Sequence, residues 1–281
     1  MIIDDHVHPL TRDARCIPNL STVLERFFRP SARTGLAESI SNRSLDDIIT
    51  DMDAAGIDVS VIVGTDLTGS LGVVMVTNDS VAEMAAEYPR RLIGFAGVDP
   101  TTGVSAAVDE LERAVRELGL KGLKLVPPVQ KFSPADERYD RLWERATALG
   151  IPVWIHTGHQ ISTPGSVAKF GHPMLIDSLA DRHPDLKIIM GHCSWPWPWE
   201  AWSVCCRRPN VYIDTAAYGS LFNHFPWDAF SKFDIEHKIL FGTDYPLHGF
   251  TTSVEEVQSL AISDEFKEKI LGLNAAAILG E

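Results

Sequence analysis

At 281 residues the chain could make one domain or two; it is long enough for one (β/α)8 barrel, which takes about 250, and with no composition break to mark a boundary one domain over residues 1–281 is expected. It is 45% hydrophobic and 22% charged, which supplies ample core and excludes a disordered chain. Thirty-eight acids against 25 bases leave a net charge of −13, which excludes nucleic acid and anionic membrane surfaces as partners but leaves room for a local basic pocket.

Taken in chain order, short apolar runs alternate with segments of helical period from one end to the other. The predicted strands are Ile2 to His8, Val59 to Thr65, Arg91 to Val98, Gly122 to Val126, Pro152 to His156, Lys187 to His192, Val211 to Thr215 and Lys238 to Thr243. Runs such as "VSVIVG", "LKIIMG" and "HKILFG" are continuously hydrophobic, as strands buried on both faces must be. Between them lie amphipathic segments at Ser44 to Ala55, Ser80 to Tyr88, Val104 to Leu118 and Arg138 to Leu149. Ser44 and Asn78 stand where helix caps are wanted, and Gly56, Pro89, Gly119 and Gly150 where helices stop. A helix between two strands makes them parallel neighbours, so the expected fold is an α/β chain forming a single (β/α)8 TIM barrel. The longest irregular segment, Pro9 to Arg43, follows the first strand and belongs over the barrel mouth. It carries Arg12, Arg15, Arg26, Arg29 and Arg33, and its pair Phe27 and Phe28 reads as a pocket wall.

The chain start shows no basic region, apolar run and cleavage site, so a cytoplasmic location is expected. No apolar run approaches the roughly 20 residues of a membrane-spanning helix. Cys16, Cys193, Cys205 and Cys206 lack CxxC spacing and read as reduced packing residues. Three Asn-x-Ser matches, at Asn19, Asn42 and Asn78, read as chance.

The polar residues are placed tellingly. His6 and His8 close the first strand, His156 the fifth and His192 the sixth, while Asp244 follows the eighth. In a barrel these C-terminal ends converge on one face, and His6 and His8 point to the same side of their strand with Val7 turned away. Imidazoles with a carboxylate suit a divalent ion, which lowers the pKa of bound water to about 7. The alternative, local hydrogen bonding by each histidine, weakens as five such residues share one placement.

With "IDDHVHP", "PVWIHTG", "IIMGHCSWPW" and "ILFGTDYP" spread over its whole length, the chain resembles the amidohydrolase superfamily, in particular the amidohydrolase-related branch that includes aminocarboxymuconate semialdehyde decarboxylase. The resemblance implies that His6, His8, His156 and Asp244 ligate one metal, zinc with manganese as the alternative. It implies that His192 is a catalytic histidine beside the metal, and that Asp244 takes a proton from metal-bound water and passes it to the leaving group.

Lys124, in "GLKGLKLVPP", alternates with Leu123 and Leu125 and should face the barrel interior, where an unpaired ammonium is costly. It reads as a partner for a substrate carboxylate or carbonyl, or else as a snorkelling or salt-bridged lysine. In "CSWPWPWEAW", Trp195, Trp197, Trp199 and Trp202 cannot all face one way; Trp195 is the expected substrate contact, and a homodimer would cover others. Glu200 is either a helix-start charge or a site residue. His159 and His248 lie just past the fifth and eighth strands, where a pocket role fits; His183 and His237 belong to the opposite end, and His172 and His224 carry no signal.

The leading expectation is a metal-dependent hydrolase that cleaves a lactone, ester or amide of a small carboxylated or aromatic molecule. The second is a nonoxidative decarboxylase of an aromatic or muconate-type acid. Within the branch many aromatic-acid decarboxylases carry Glu-x-His on the first strand and His-Pro after the fifth, whereas this chain has His6-Val7-His8 and His156-Thr157-Gly158. The muconate decarboxylase shares HxH. A third reading, a catalytically silent ligand-binding barrel, would show a lost ligand, and all five positions are filled.

Overall fold

The protein is described from a computed structural model over residues 1–11, 43–163, 165–217 and 224–280. Residues 12–42 lie outside it, and with them Cys16, the arginines of the long loop and the pocket wall expected of Phe27 and Phe28.

The described residues contain ten strands: β1 (Ile3–Val7), β2 (Val59–Val63), β3 (Thr65–Leu67), β4 (Val73–Val76), β5 (Leu92–Gly97), β6 (Gly122–Leu125), β7 (Val153–Ile155), β8 (Ile188–Met190), β9 (Val211–Asp214) and β10 (Ile239–Leu240). Eight of them form one parallel sheet in the order β1-β2-β5-β6-β7-β8-β9-β10, each inside one of the eight predicted runs. The sheet closes on itself beyond β10, where Asp5 N–H donates to Phe241 O, Asp244 N–H to His6 O and His8 N–H to Tyr245 O, at 2.8, 2.9 and 2.8 Å. The fold is the expected TIM barrel. The antiparallel pair β3–β4, which hydrophobic period did not reveal, extends the mouth beyond β2.

Helices wrap the barrel: α1 (Leu45–Ala55), α2 (Asn78–Glu87), α3 (Val104–Arg116), α4 (Asp140–Leu149), α5 (Met174–Arg182), α6 (Pro198–Arg207), α7 (Trp227–Lys232) and α8 (Phe250–Gln258). Ser44 caps α1 through a reciprocal box with Asp47, as expected. Asn78 departs from expectation. Thr77 caps α2, whereas Asn78 lies inside the helix and spans to β5, accepting the Gly97 N–H at 2.8 Å and donating to Gly97 O at 3.2 Å. An amide presents a donor and an acceptor side by side, so it satisfies both halves of that peptide edge.

Two apolar clusters result. The larger fills the space between strands and helices, with Val7, Leu123 and Leu125 among its members. The smaller fills the barrel interior with Ile3, Val61, Val63, Phe95, Trp154, Ile189 and Leu240. Ala275 and Ile278, from the terminal helix Asn274–Leu279, plug the bottom. In β1 the inward set changes parity. Ile3 faces inward while Val7 faces the helices, and the pairing register with β2 shifts between Asp4 and Val7. This irregularity turns His6 into the barrel. Asp4 holds it, accepting the His6 N–H at 3.2 Å and both the N–H and hydroxyl of Thr243 at 3.0 and 2.6 Å. Burial raises the Asp4 carboxyl to about 7 despite those bonds.

Among the described residues no helix is long and apolar enough to cross a membrane. Cys193 and Cys205 are buried free thiols and Cys206 is half-buried, in keeping with a packing role.

Candidate metal centre

His6, His8 and Asp244 meet at the barrel mouth with one ligand atom each, all within 4.8 Å of one another and all buried. The Nε2 atoms of His6 and His8 lie 3.4 and 3.3 Å from Asp244 Oδ1. Asp244 reaches this point because its backbone is left-handed, at φ 61°, which turns the chain sharply after β10. His156 and His192 stand beside the trio with ring centroids 4.2 Å apart. His156 is thus outside the tightest cluster, although it shares the same face. Its Nε2 is buried without a hydrogen-bond partner, as are His6 Nε2 and Asp244 Oδ1.

The electrostatics suit a cation. Burial holds His6 and His156 well below the ordinary imidazole value and lowers His192 to about 4, so all three are neutral, lone-pair donors near neutral pH. For Asp244 burial pushes upward, but its contacts with His6 and His8 prevail and hold the carboxyl well below its usual range. Neutral imidazoles, an ionised carboxylate and several orphaned buried acceptors form a donor set that fits one divalent ion.

Lys124 faces inward from β6 as expected. Its ammonium donates to Thr65 Oγ1 at 3.4 Å and lies 5.7 Å from the centroid of the Trp154 ring. Burial lowers it to about 7, with Asp244 pulling the other way. No salt bridge to it is formed among the described residues, and the Asp244 carboxylate is the charge that acts on it.

The tryptophans divide. Trp195 is half-buried with its ring 6.1 Å from that of His224, and Trp197 packs between His159 and His172 at 5.2 and 4.7 Å. Trp199 is exposed, whereas Trp202 is half-buried against the outer core cluster, with its ring 5.8 Å from that of Trp199 and 5.0 Å from that of Phe233. Glu200 lies in the first turn of α6, as a helix-start charge does. His183 contacts Asp140 at 3.2 Å in the turn before β8, and His237 is exposed before β10; both stand at the far end of the barrel. His248 is half-buried after β10.

Three site residues escaped sequence reasoning. Asp214 ends β9, accepts the His192 N–H at 2.5 Å and the Trp154 indole N–H at 2.7 Å, and abuts the carboxyl of Asp5. Burial raises both acids, Asp214 to about 7. Asp214 accepts three N–H donors, which favour its ionised form, whereas Asp5 accepts none. The third residue is Trp154, fully buried in β7. The signal for Asp214 was available: it closes its strand as the five named residues close theirs.

The chain matches the profile of the amidohydrolase family over residues 3–280. It is 26% identical over 247 residues to gamma-resorcylate decarboxylase of Rhodococcus jostii, which covers 72% of this chain and 74% of that one. Among solved structures it resembles an uncharacterised TIM-barrel protein, Bb4693, of Bordetella bronchiseptica, with 27% identity, a TM-score of 0.80 and coverage of 99% and 98%. It also shares its fold with a dihydroxybenzoic acid decarboxylase of Polaromonas holding manganese and 2-nitroresorcinol, at 20% identity, a TM-score of 0.75 and coverage of 99% and 96%. These findings overturn the hydrolase expectation. The matched enzymes break a carbon–carboxyl bond, and the second reading of the sequence, a decarboxylase, is the one they favour. The HxH pattern misled because it describes the metal donors and is silent on the bond that breaks.

Proposed function

We propose that this chain, which belongs to the amidohydrolase family and is an enzyme of that superfamily, is a metal-dependent nonoxidative decarboxylase of a small aromatic or muconate-type acid. The similarity to gamma-resorcylate decarboxylase over most of both chains carries the reading. The buried cluster of His6, His8 and Asp244, with Lys124 close by, supports it.

In this reading residues 1–281 act as one barrel domain. His6, His8 and Asp244 hold the ion, and His156, with its unpartnered Nε2, is the fourth ligand. Manganese, present in the Polaromonas enzyme, replaces zinc as the ion to test first. A divalent ion there supplies positive charge that orients the acid's oxygens and steadies the negative charge arising on the carbon skeleton.

The chain's own groups do the rest. The Lys124 ammonium binds a carboxylate or neighbouring oxygen of the acid, and Trp195 offers a flat wall at the mouth. As the bond to the carboxylate breaks, its electron pair stays on carbon, carbon dioxide leaves, and one proton must be delivered to that carbon. Asp244, ionised before the acid enters, takes an acidic proton from the acid itself as it binds and yields that same proton to carbon, with His192 beside it to support the transfer. Burial of Lys124, Asp244 and His192 keeps water from competing.

The test is a panel of hydroxybenzoic and muconate-type acids, gamma-resorcylate among them, incubated in deuterium oxide with manganese-loaded protein. At least one acid is expected to release carbon dioxide and give a product with one deuterium at the vacated carbon. Absence of carbon dioxide from every member would contradict the reading.

A further inference from the structure

Beneath the histidines lies a layer that the proposed chemistry does not use. Trp154, fully buried in β7, lays its indole flat against the His6 imidazole, with ring centroids 3.8 Å apart and planes 5° from parallel. The same ring meets His192 edge-on at 5.0 Å. The indole fits only because residue 191 has no side chain: a Cβ on Gly191 would stand 2.3 Å from its Cζ2 atom. Trp154 donates its Nε1–H to Asp214 Oδ2 at 2.7 Å, and Asp214 Oδ1 accepts the His192 N–H at 2.5 Å.

The two histidines need different help, since His192 Nδ1 already lies 3.3 Å from Ala216 O and only its backbone wants support. Metal-binding histidines ordinarily donate their second ring nitrogen to a carboxylate or carbonyl, which sets the plane of the ring. His6 Nδ1 is buried with no such partner, so the stack with Trp154 sets its plane instead. His192 opens three consecutive left-handed residues, with φ of 64°, 49° and 52° at His192, Cys193 and Ser194. None is a glycine, so the turn must be held from outside. Asp214 holds its first N–H, and Thr157 ties its end, with Oγ1 2.6 Å from Ser194 Oγ and 2.8 Å from Gly191 O.

We propose that Trp154 and Asp214 form one positioning unit that presets two site histidines in the metal-free protein, fixing the His6 ring by stacking and the His192 turn by a carboxylate clamp. A single carboxylate thereby sets His6 of β1 and His192 after β8 relative to each other. This rests on the metal-site reading above, but its primary test needs neither metal nor substrate.

A ring held 3.8 Å above an indole face has its carbon-bound protons shifted upfield by the ring current. The measurement is the histidine ring spectrum of metal-free protein by proton–carbon NMR, with His6 assigned through its loss in His6→Gln. His6 is expected furthest upfield of the ten histidines, to return toward the ordinary position in Trp154→Leu and to stay shifted in Trp154→Phe, which keeps a ring but no donor. Asp214→Asn replaces one acceptor oxygen with an NH2 group facing a donor, and should disturb the His6 and His192 signals together. By equilibrium dialysis, Trp154→Leu and Asp214→Asn should bind manganese about 10–100-fold more weakly, and Trp154→Phe less than tenfold more weakly. An unshifted His6 in the unaltered protein would overturn the proposal without any variant having to fold, and so would unchanged manganese affinity in a folded Trp154→Leu. If the unaltered protein shows the shift yet binds no manganese, the metal reading fails and the positioning unit stands.

Discussion

Replacing Asp244 with Asn is expected to lower kcat by about a thousandfold, within the usual range for a lost general acid or base, while the protein stays folded. Asp244 is buried at φ 61°, and Asn is among the few residues that adopt the left-handed region readily, so the backbone turn survives. An amide can still offer its oxygen to a cation but cannot carry a proton to carbon. Metal analysis beside steady-state kinetics separates the two losses. A variant with substantial metal and a kcat within tenfold of the original would remove Asp244 from the proton transfer.

Removing either first-strand histidine should act at the other end of the process. His6→Ala or His8→Ala takes away one of three converging donors, and the metal content after dialysis should fall to a small fraction of one ion per chain. Affinity is expected to drop by about 100-fold or more, since a ligand contributes at least as much as the residue that orients it. His156, set outside the trio, gives the informative contrast. In its proposed role as fourth ligand it should weaken binding when changed to Ala, by less than His6 or His8. Full metal occupancy in His6→Ala would show that the ion lies elsewhere.

Much of this architecture was legible because it follows from burial. Strands covered on both faces must read as apolar runs, and the eight runs located every barrel strand. Placement did the same for chemistry: His6, His8, His156, His192 and Asp244 were marked by standing at strand ends, and Lys124 by alternating with Leu123 and Leu125. The strands proved shorter than the runs, as at β10, where the predicted Lys238 to Thr243 became Ile239–Leu240. Past that point the backbone bonds β1 through turns and single contacts that apolar period does not encode.

What escaped reading is mostly contact between distant segments. No local pattern announces that Asp5 and Asp214 share a buried site, that Trp154 lies on His6, or that Gly191 is small for the sake of that indole. Asn78 illustrates the same limit, since its residue type suited a cap while its partner lay in β5. The reaction was the least legible of all. Histidines and a carboxylate report that a cation can be held, and the bond it helps to break depends on the acid bound beside it.

In the proposed function one divalent ion at His6, His8 and Asp244 sustains loss of carbon dioxide from an acid. Titrating metal-free protein with manganese, while carbon dioxide release is followed from the most active acid of the panel, tests this directly. The rate is expected to rise in proportion to added metal, to level off at one ion per chain, and to show no such rise in His6→Ala. Release that is as fast without metal as with it would contradict a role for the ion.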